Sequence, residues 1–125
     1  MKRKILLEYT IKASPKVLYP RLSTPSGLSE WFADDVNVKG NNFNFIWSGS
    51  ENIAEVIQRK ENRYIRFHWI EDEDPSTYFE FRITIDELTS DLALVVTDFV
   101  EEGEKEEGIE LWNSQIIELK HLLGL

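Results

Sequence analysis

The last stretch of the chain, Glu106 to Leu125, constrains the fold most, because it is the only long segment with a clear helical period. Ile109, Trp112, Ile116, Leu119 and Leu123 recur at spacings of three and four. At about 100° per residue they fall within an arc of roughly 80°. Leu111 and Leu122 widen that arc on one side, while Glu110, Asn113, Ser114, Glu118, Lys120 and His121 lie mostly outside it. Gln115 projects between Leu122 and Leu119, inside the apolar face. Burying five such side chains is worth on the order of 10 kcal/mol before entropy is subtracted. The rest of the chain must supply the surface they bury against.

It does so as strands. Lys4 to Ile11 reads as the first, with Ile5, Leu7, Tyr9 and Ile11 on one face. Ser14-Pro15, a capping Ser before a Pro at the first helical position, starts a short helix that Thr24-Pro25 stops. A second short helix spans Ser26 to Phe32 and ends in the bulky pair Trp31-Phe32. Six strand segments follow: Val36–Lys39, Asn42–Trp47, Ile53–Arg59, Tyr64–Ile70, Thr77–Asp86 and Leu92–Val100. Phe43, Phe45 and Trp47 share a face by strict alternation, as do Ile65, Phe67 and Trp69, and Phe79, Phe81, Ile83 and Ile85. The near-continuous apolar run of the last strand leaves its facing open. Successive strands joined by short turns form an antiparallel sheet, and one spanning helix makes an α+β two-layer domain. A sheet of about seven strands that meets a single helix curls around it, and a pocket between the two is expected.

Length and charge narrow the partners. A chain of 125 residues reads as one domain, residues 1–125. A net charge of −9 argues against nucleic acid or an anionic membrane surface, both of which want a basic face. The opening Met-Lys-Arg-Lys resembles the charged region of a signal peptide, but Glu8 cuts the apolar run that follows. No run reaches the roughly 18 apolar residues of a membrane span. The absence of cysteine excludes disulfides and thiolate sites and fits a cytoplasmic protein.

Little conventional catalytic chemistry stands out. His68 and His121 are the only histidines, are not at metal-ligand spacing, and read as solvated surface residues. No phosphate loop or Ser-His-Asp order is present, and neither a cofactor nor a metal is implied. The acidic runs Glu71–Asp74 and Glu101–Glu107 read as solvated loops. Three residues stand apart. Asp98 lies in an otherwise apolar strand; facing inward it would be desolvated, with its pKa pushed up, and otherwise it is a strand-end group reaching solvent. Gln115 needs a partner on an apolar face, either a backbone group of the sheet or a ligand. Trp31 is either a core plug or a lid over the pocket mouth.

The chain also resembles a known family. Ser14-Pro15-Lys16-Val17-Leu18-Tyr19, Leu28-Ser29-Glu30-Trp31-Phe32, Phe43-Asn44-Phe45-Ile46-Trp47, Ile65-Arg66-Phe67-His68-Trp69, and Trp112 with Leu119 together resemble the helix-grip fold of the START-like (Bet v 1-like, SRPBCC) superfamily. Within it the chain is most like the single-domain relatives of the Hsp90 activator Aha1. Leu111 stands where that family usually has a Gly before the helical Trp. The resemblance implies binding of a small apolar molecule or lipid, or a co-chaperone-like role.

Joined to the patterning, it gives a leading reading. A non-enzymatic domain, monomer or weak dimer, binds a small apolar or aromatic ligand between sheet and C-terminal helix. The ligand-binding candidates are Trp31, Phe43, Phe45, Trp47, Phe67, Trp69, Phe79, Phe81, Asp98, Trp112, Gln115, Ile116 and Leu119. The same aromatics would equally serve as plain core. A protein-interaction module using the outer sheet face is the alternative. A cyclase or lyase using Asp98 comes last, since no second catalytic partner is visible.

Overall fold

The computed structural model describes residues 1–125. The elements are β1 (Lys2–Thr10), α1 (Pro15–Ser23), α2 (Pro25–Leu28), β2 (Asp35–Lys39), β3 (Asn42–Trp47), β4 (Ser50–Lys60), β5 (Tyr64–Trp69), β6 (Phe79–Ile85), β7 (Leu92–Glu101) and α3 (Lys105–Leu122). All seven strands join one antiparallel sheet in the order β1-β7-β6-β5-β4-β3-β2. The chain therefore meanders from β2 to β7, and β1 closes the far edge on β7, from Lys2 opposite Glu101 to Thr10 opposite Ala93. A register shift between Val56 and Gln58 bends β4 and leaves Ile57 exposed.

The two short helices pack at one end of the sheet. Ser14 Oγ accepts from the Val17 amide to cap α1, and Thr24 Oγ1 accepts from the Gly27 amide to cap α2. Tyr19 on α1 donates its hydroxyl to the Tyr64 carbonyl, 3.1 Å away at the start of β5. The two helices touch so closely that a Cβ on Gly27 would lie 2.1 Å from the Pro20 carbonyl oxygen. Only glycine fits there. α2 is shorter than the sequence pattern predicts: it ends at Leu28, and the next residues turn Trp31 and Phe32 into the core.

α3 lies across the concave face and ends in a Schellman turn. Gly124 adopts φ 77°, and the Leu125 amide donates to the Lys120 carbonyl. Its buried face is narrower than expected. Trp112, Ile116 and Leu119 are buried, and Ile109 and Leu123 pack half-buried against the core. Leu111 is 62% exposed and Leu122 38%, so these two do not widen the buried stripe.

Candidate functional site

The residues beneath α3 divide by which end of the sheet they come from. At the end nearer α1, Phe43, Ile65, Phe81, Ile83 and Leu94 meet Leu18, Leu22 and Leu119 in the buried core. At the other end β3 and β5 finish at Trp47 and Trp69, β6 begins at Phe79, and β7 passes Asp98 on its way out. No helix plugs that end. The space is bounded by Phe32 from the segment after α2 and by Leu111, Trp112 and Gln115 from the early turns of α3. The result is a cavity of about 380 Å³ lined by those eight residues.

Aromatic contacts fix its walls. Trp69 stacks on Phe79 at 4.8 Å between ring centroids, Trp47 tilts against Trp69 at 6.1 Å, and Phe32 stacks on Trp112 at 5.7 Å. Phe32 is the hub: its ring also meets those of Trp31, Phe45, Trp47, Phe79 and Phe81. Its carbonyl accepts from Trp47 Nε1 at 2.8 Å and from Gln115 Nε2 at 3.3 Å. One backbone oxygen thus ties strand β3 and helix α3 together.

Asp98 is the one charged residue in the wall. The sequence left its facing open; the structure turns it inward, against α3. Its Oδ2 accepts from Trp112 Nε1 at 2.9 Å, and its Oδ1 from the Phe99 amide at 2.8 Å. Burial pushes its pKa above the ordinary carboxylate value, although both hydrogen bonds and the more distant Lys2 ammonium oppose the shift. Lys2 itself pairs with Asp72 at 2.8 Å.

Of the sequence candidates, Trp47, Trp69, Phe79, Asp98, Trp112 and Gln115 come together at the cavity. Phe43, Phe45, Phe67, Phe81, Ile116 and Leu119 do not line it; they are packed core, each at most 3% exposed. Trp31 is no lid over this cavity. It is buried against Phe32 and Phe81, with its indole N–H donated to the Arg21 carbonyl at 2.7 Å. Gln115 bonds the Phe32 carbonyl, not the sheet. His68, expected on a solvated surface, is half-buried and donates through Nδ1 to the Thr77 carbonyl at 2.8 Å. Sequence reasoning missed Phe32 and Leu111 as lining residues. Phe32 stood out only as half of the bulky Trp31-Phe32 pair, with no period to give it a facing, whereas the departure from the family's usual Gly marked Leu111. No cluster of three or more His, Cys, Asp or Glu stands ready for a metal, and no helix is long and apolar enough to cross a membrane.

A curved antiparallel sheet gripping one C-terminal helix over an aromatic hollow defines a helix-grip domain with an open-mouthed cavity at one end. The chain belongs to the START-like superfamily, whose domain description matches residues 1–125. It is 37% identical to a Bacteroides fragilis protein solved by solution NMR, over 99% of this chain and 93% of that one, with a TM-score of 0.69. The Aha1 dimer from Colwellia psychrerythraea shares the fold at 21% identity, 94% and 93% coverage and a TM-score of 0.77. A Mesorhizobium loti protein does so at 22% identity, 98% and 97% coverage and a TM-score of 0.75. No curated protein matches the chain.

Proposed function

We propose that this domain binds, without chemical turnover, a small molecule with an apolar or aromatic body and a single polar handle. The observation that carries the reading is the cavity of about 380 Å³ whose wall is six apolar side chains, one amide and one carboxylate. That balance is the usual one for a small-molecule site. A volume of this size admits a two- or three-ring body. Asp98 offers a catalyst little, because its partners are an indole and a backbone amide and no second titratable group lines the cavity. A core filled to the same density at both ends would favour the interaction-module reading instead.

Fluorescence titration with N-phenyl-1-naphthylamine, a neutral apolar probe, tests this. The expected result is saturable one-to-one binding with a Kd on the order of 10 µM. Leu111→Trp fills the mouth from an exposed position and should weaken binding about tenfold. No saturable binding, or binding indifferent to Leu111→Trp, overturns the reading.

A further inference from the structure

We propose that the cavity selects organic cations, seating a protonated or quaternary amine between Asp98 and the faces of its aromatic rings. The inference deepens the binding reading above and rests on it. Five of the eight lining residues, Phe32, Trp47, Trp69, Phe79 and Trp112, are aromatic. A ring face attracts a cation, tryptophan most strongly, and the attraction grows as water is excluded.

The polar groups of the wall point the same way. The indole N–H groups of Trp47 and Trp112 are already donated to the Phe32 carbonyl and to Asp98. Gln115 donates to the same carbonyl. An anionic handle meets only the neutral donors left over, the Trp69 indole N–H and the second Gln115 amide hydrogen, beside the like charge of Asp98. Asp98 accepts one hydrogen bond at each oxygen and keeps lone pairs for a further donor. The handle that fits is one that gives protons or positive charge.

The surroundings extend this preference to the mouth. The adjoining hollow that shares Trp69 adds Glu71. The hollow that shares Phe32 and Trp47 adds Glu30, Asp34 and Glu118. No Lys, Arg or His lines the cavity or either hollow. Glu30 is paired with Arg21, but Glu71 and Glu118 have no ion-pair partner. Lys2 is committed to Asp72. With a chain charge of −9, the field at this opening draws cations in and turns carboxylates away.

The test is displacement of N-phenyl-1-naphthylamine by three probes that share a benzyl group: benzyltrimethylammonium, its neutral carbon isostere neopentylbenzene, and the anion phenylacetate. The ammonium should compete at least about tenfold better than the isostere, and phenylacetate worse than either. In Asp98→Asn the ammonium-to-isostere ratio should fall to within about threefold, with naphthylamine binding reporting whether that variant still holds a pocket. Glu71→Gln with Glu118→Gln, both off the cavity wall, should weaken the ammonium about twofold at low salt and not at high salt. An isostere that competes as well as the ammonium overturns the inference while leaving the binding reading intact. A ratio unmoved by Asp98→Asn in a variant that still binds the naphthylamine does so too. Failure of the naphthylamine to bind the wild-type protein removes both.

Discussion

The two ends of the space beneath α3 are built from the same strands with the same alternation, yet one is solid and the other hollow. Phe45 and Trp47 are two residues apart on β3, and Phe67 and Trp69 two apart on β5. The first of each pair is fully buried, and the second lines the cavity. The strands do not make the difference. α1 closes one end with Leu18 and Leu22, and α3 adds Leu119 there, while the other end has Phe32 and the early turns of α3, where Leu111, Trp112 and Gln115 border the space without filling it. Which face a side chain takes is decided within its own strand; whether the space it faces is filled is decided by an element far away in sequence.

Four measurements break or sharpen this contrast. Phe32 touches aromatic rings of both ends, so Phe32→Ala should cost about 4–5 kcal/mol by denaturant unfolding. A loss under about 1 kcal/mol would mean the two ends are not joined through it. Next, Phe67→Ala at the solid end should cost about 3–5 kcal/mol, and Trp69→Ala at the hollow end only about 1–2 kcal/mol, because a ring beside existing space leaves less new cavity. Equal losses would erase the distinction.

Gln115→Leu should lower stability by about 1 kcal/mol. The sequence alone favours the opposite sign, since an apolar residue would join an apolar helical face. The hydrogen bond to the Phe32 carbonyl reverses the expectation. A variant as stable as the parent would show that bond to be worth nothing.

The smallest effect is a slope with pH. Burial raises the folded pKa of Asp98 above its ordinary 3.8. The folded state then holds this proton more tightly than the unfolded chain does. The resulting contribution is whole below about 3.8 and is lost as pH rises through the raised folded value. Asp72 has the opposite sign. Its hydrogen bonds from Lys2 and Thr77 lower it to about 2, so its contribution is present above 3.8 and lost as pH falls toward 2. Asp98→Asn should therefore gain melting temperature relative to the parent as pH rises above about 4. A constant difference would mean that water reaches the carboxylate freely.

These particulars show what was legible in the sequence. The strands, their antiparallel sheet and the terminal helix followed from period-two and period-3.6 patterns, which are local; the seating of β1 beside β7 did not, because no local pattern connects strands so far apart in the chain. The start of the site was legible too, because Asp98 and Gln115 interrupt apolar faces. The end to which each aromatic belongs was not, since Phe67 and Trp69 occupy equivalent positions in the pattern. Phe32 was invisible as a hub because its partners come from β3, β6 and α3, and no spacing rule connects them. The acceptor for Gln115 is a backbone carbonyl, and every residue has one.

The pairing of β1 with β7 has a consequence in time. β2 to β7 form hairpin by hairpin over short loops, but β1 has no neighbour other than β7, and Arg3 finds Glu102 99 residues away. Closing so long a loop is entropically slow compared with making hairpins. As the chain emerges from a ribosome, the first strand made is the last one seated. Until then it waits as an open edge, and Lys2, Arg3, Lys4 and Glu8 guard it against joining other chains. Asp98 and Trp112 belong to the same late-made stretch. The hollow therefore acquires its charged group only after the other six strands have been made, and a nascent chain stalled before β7 holds Phe32, Trp47, Trp69 and Phe79 without the carboxylate or the Trp112 indole.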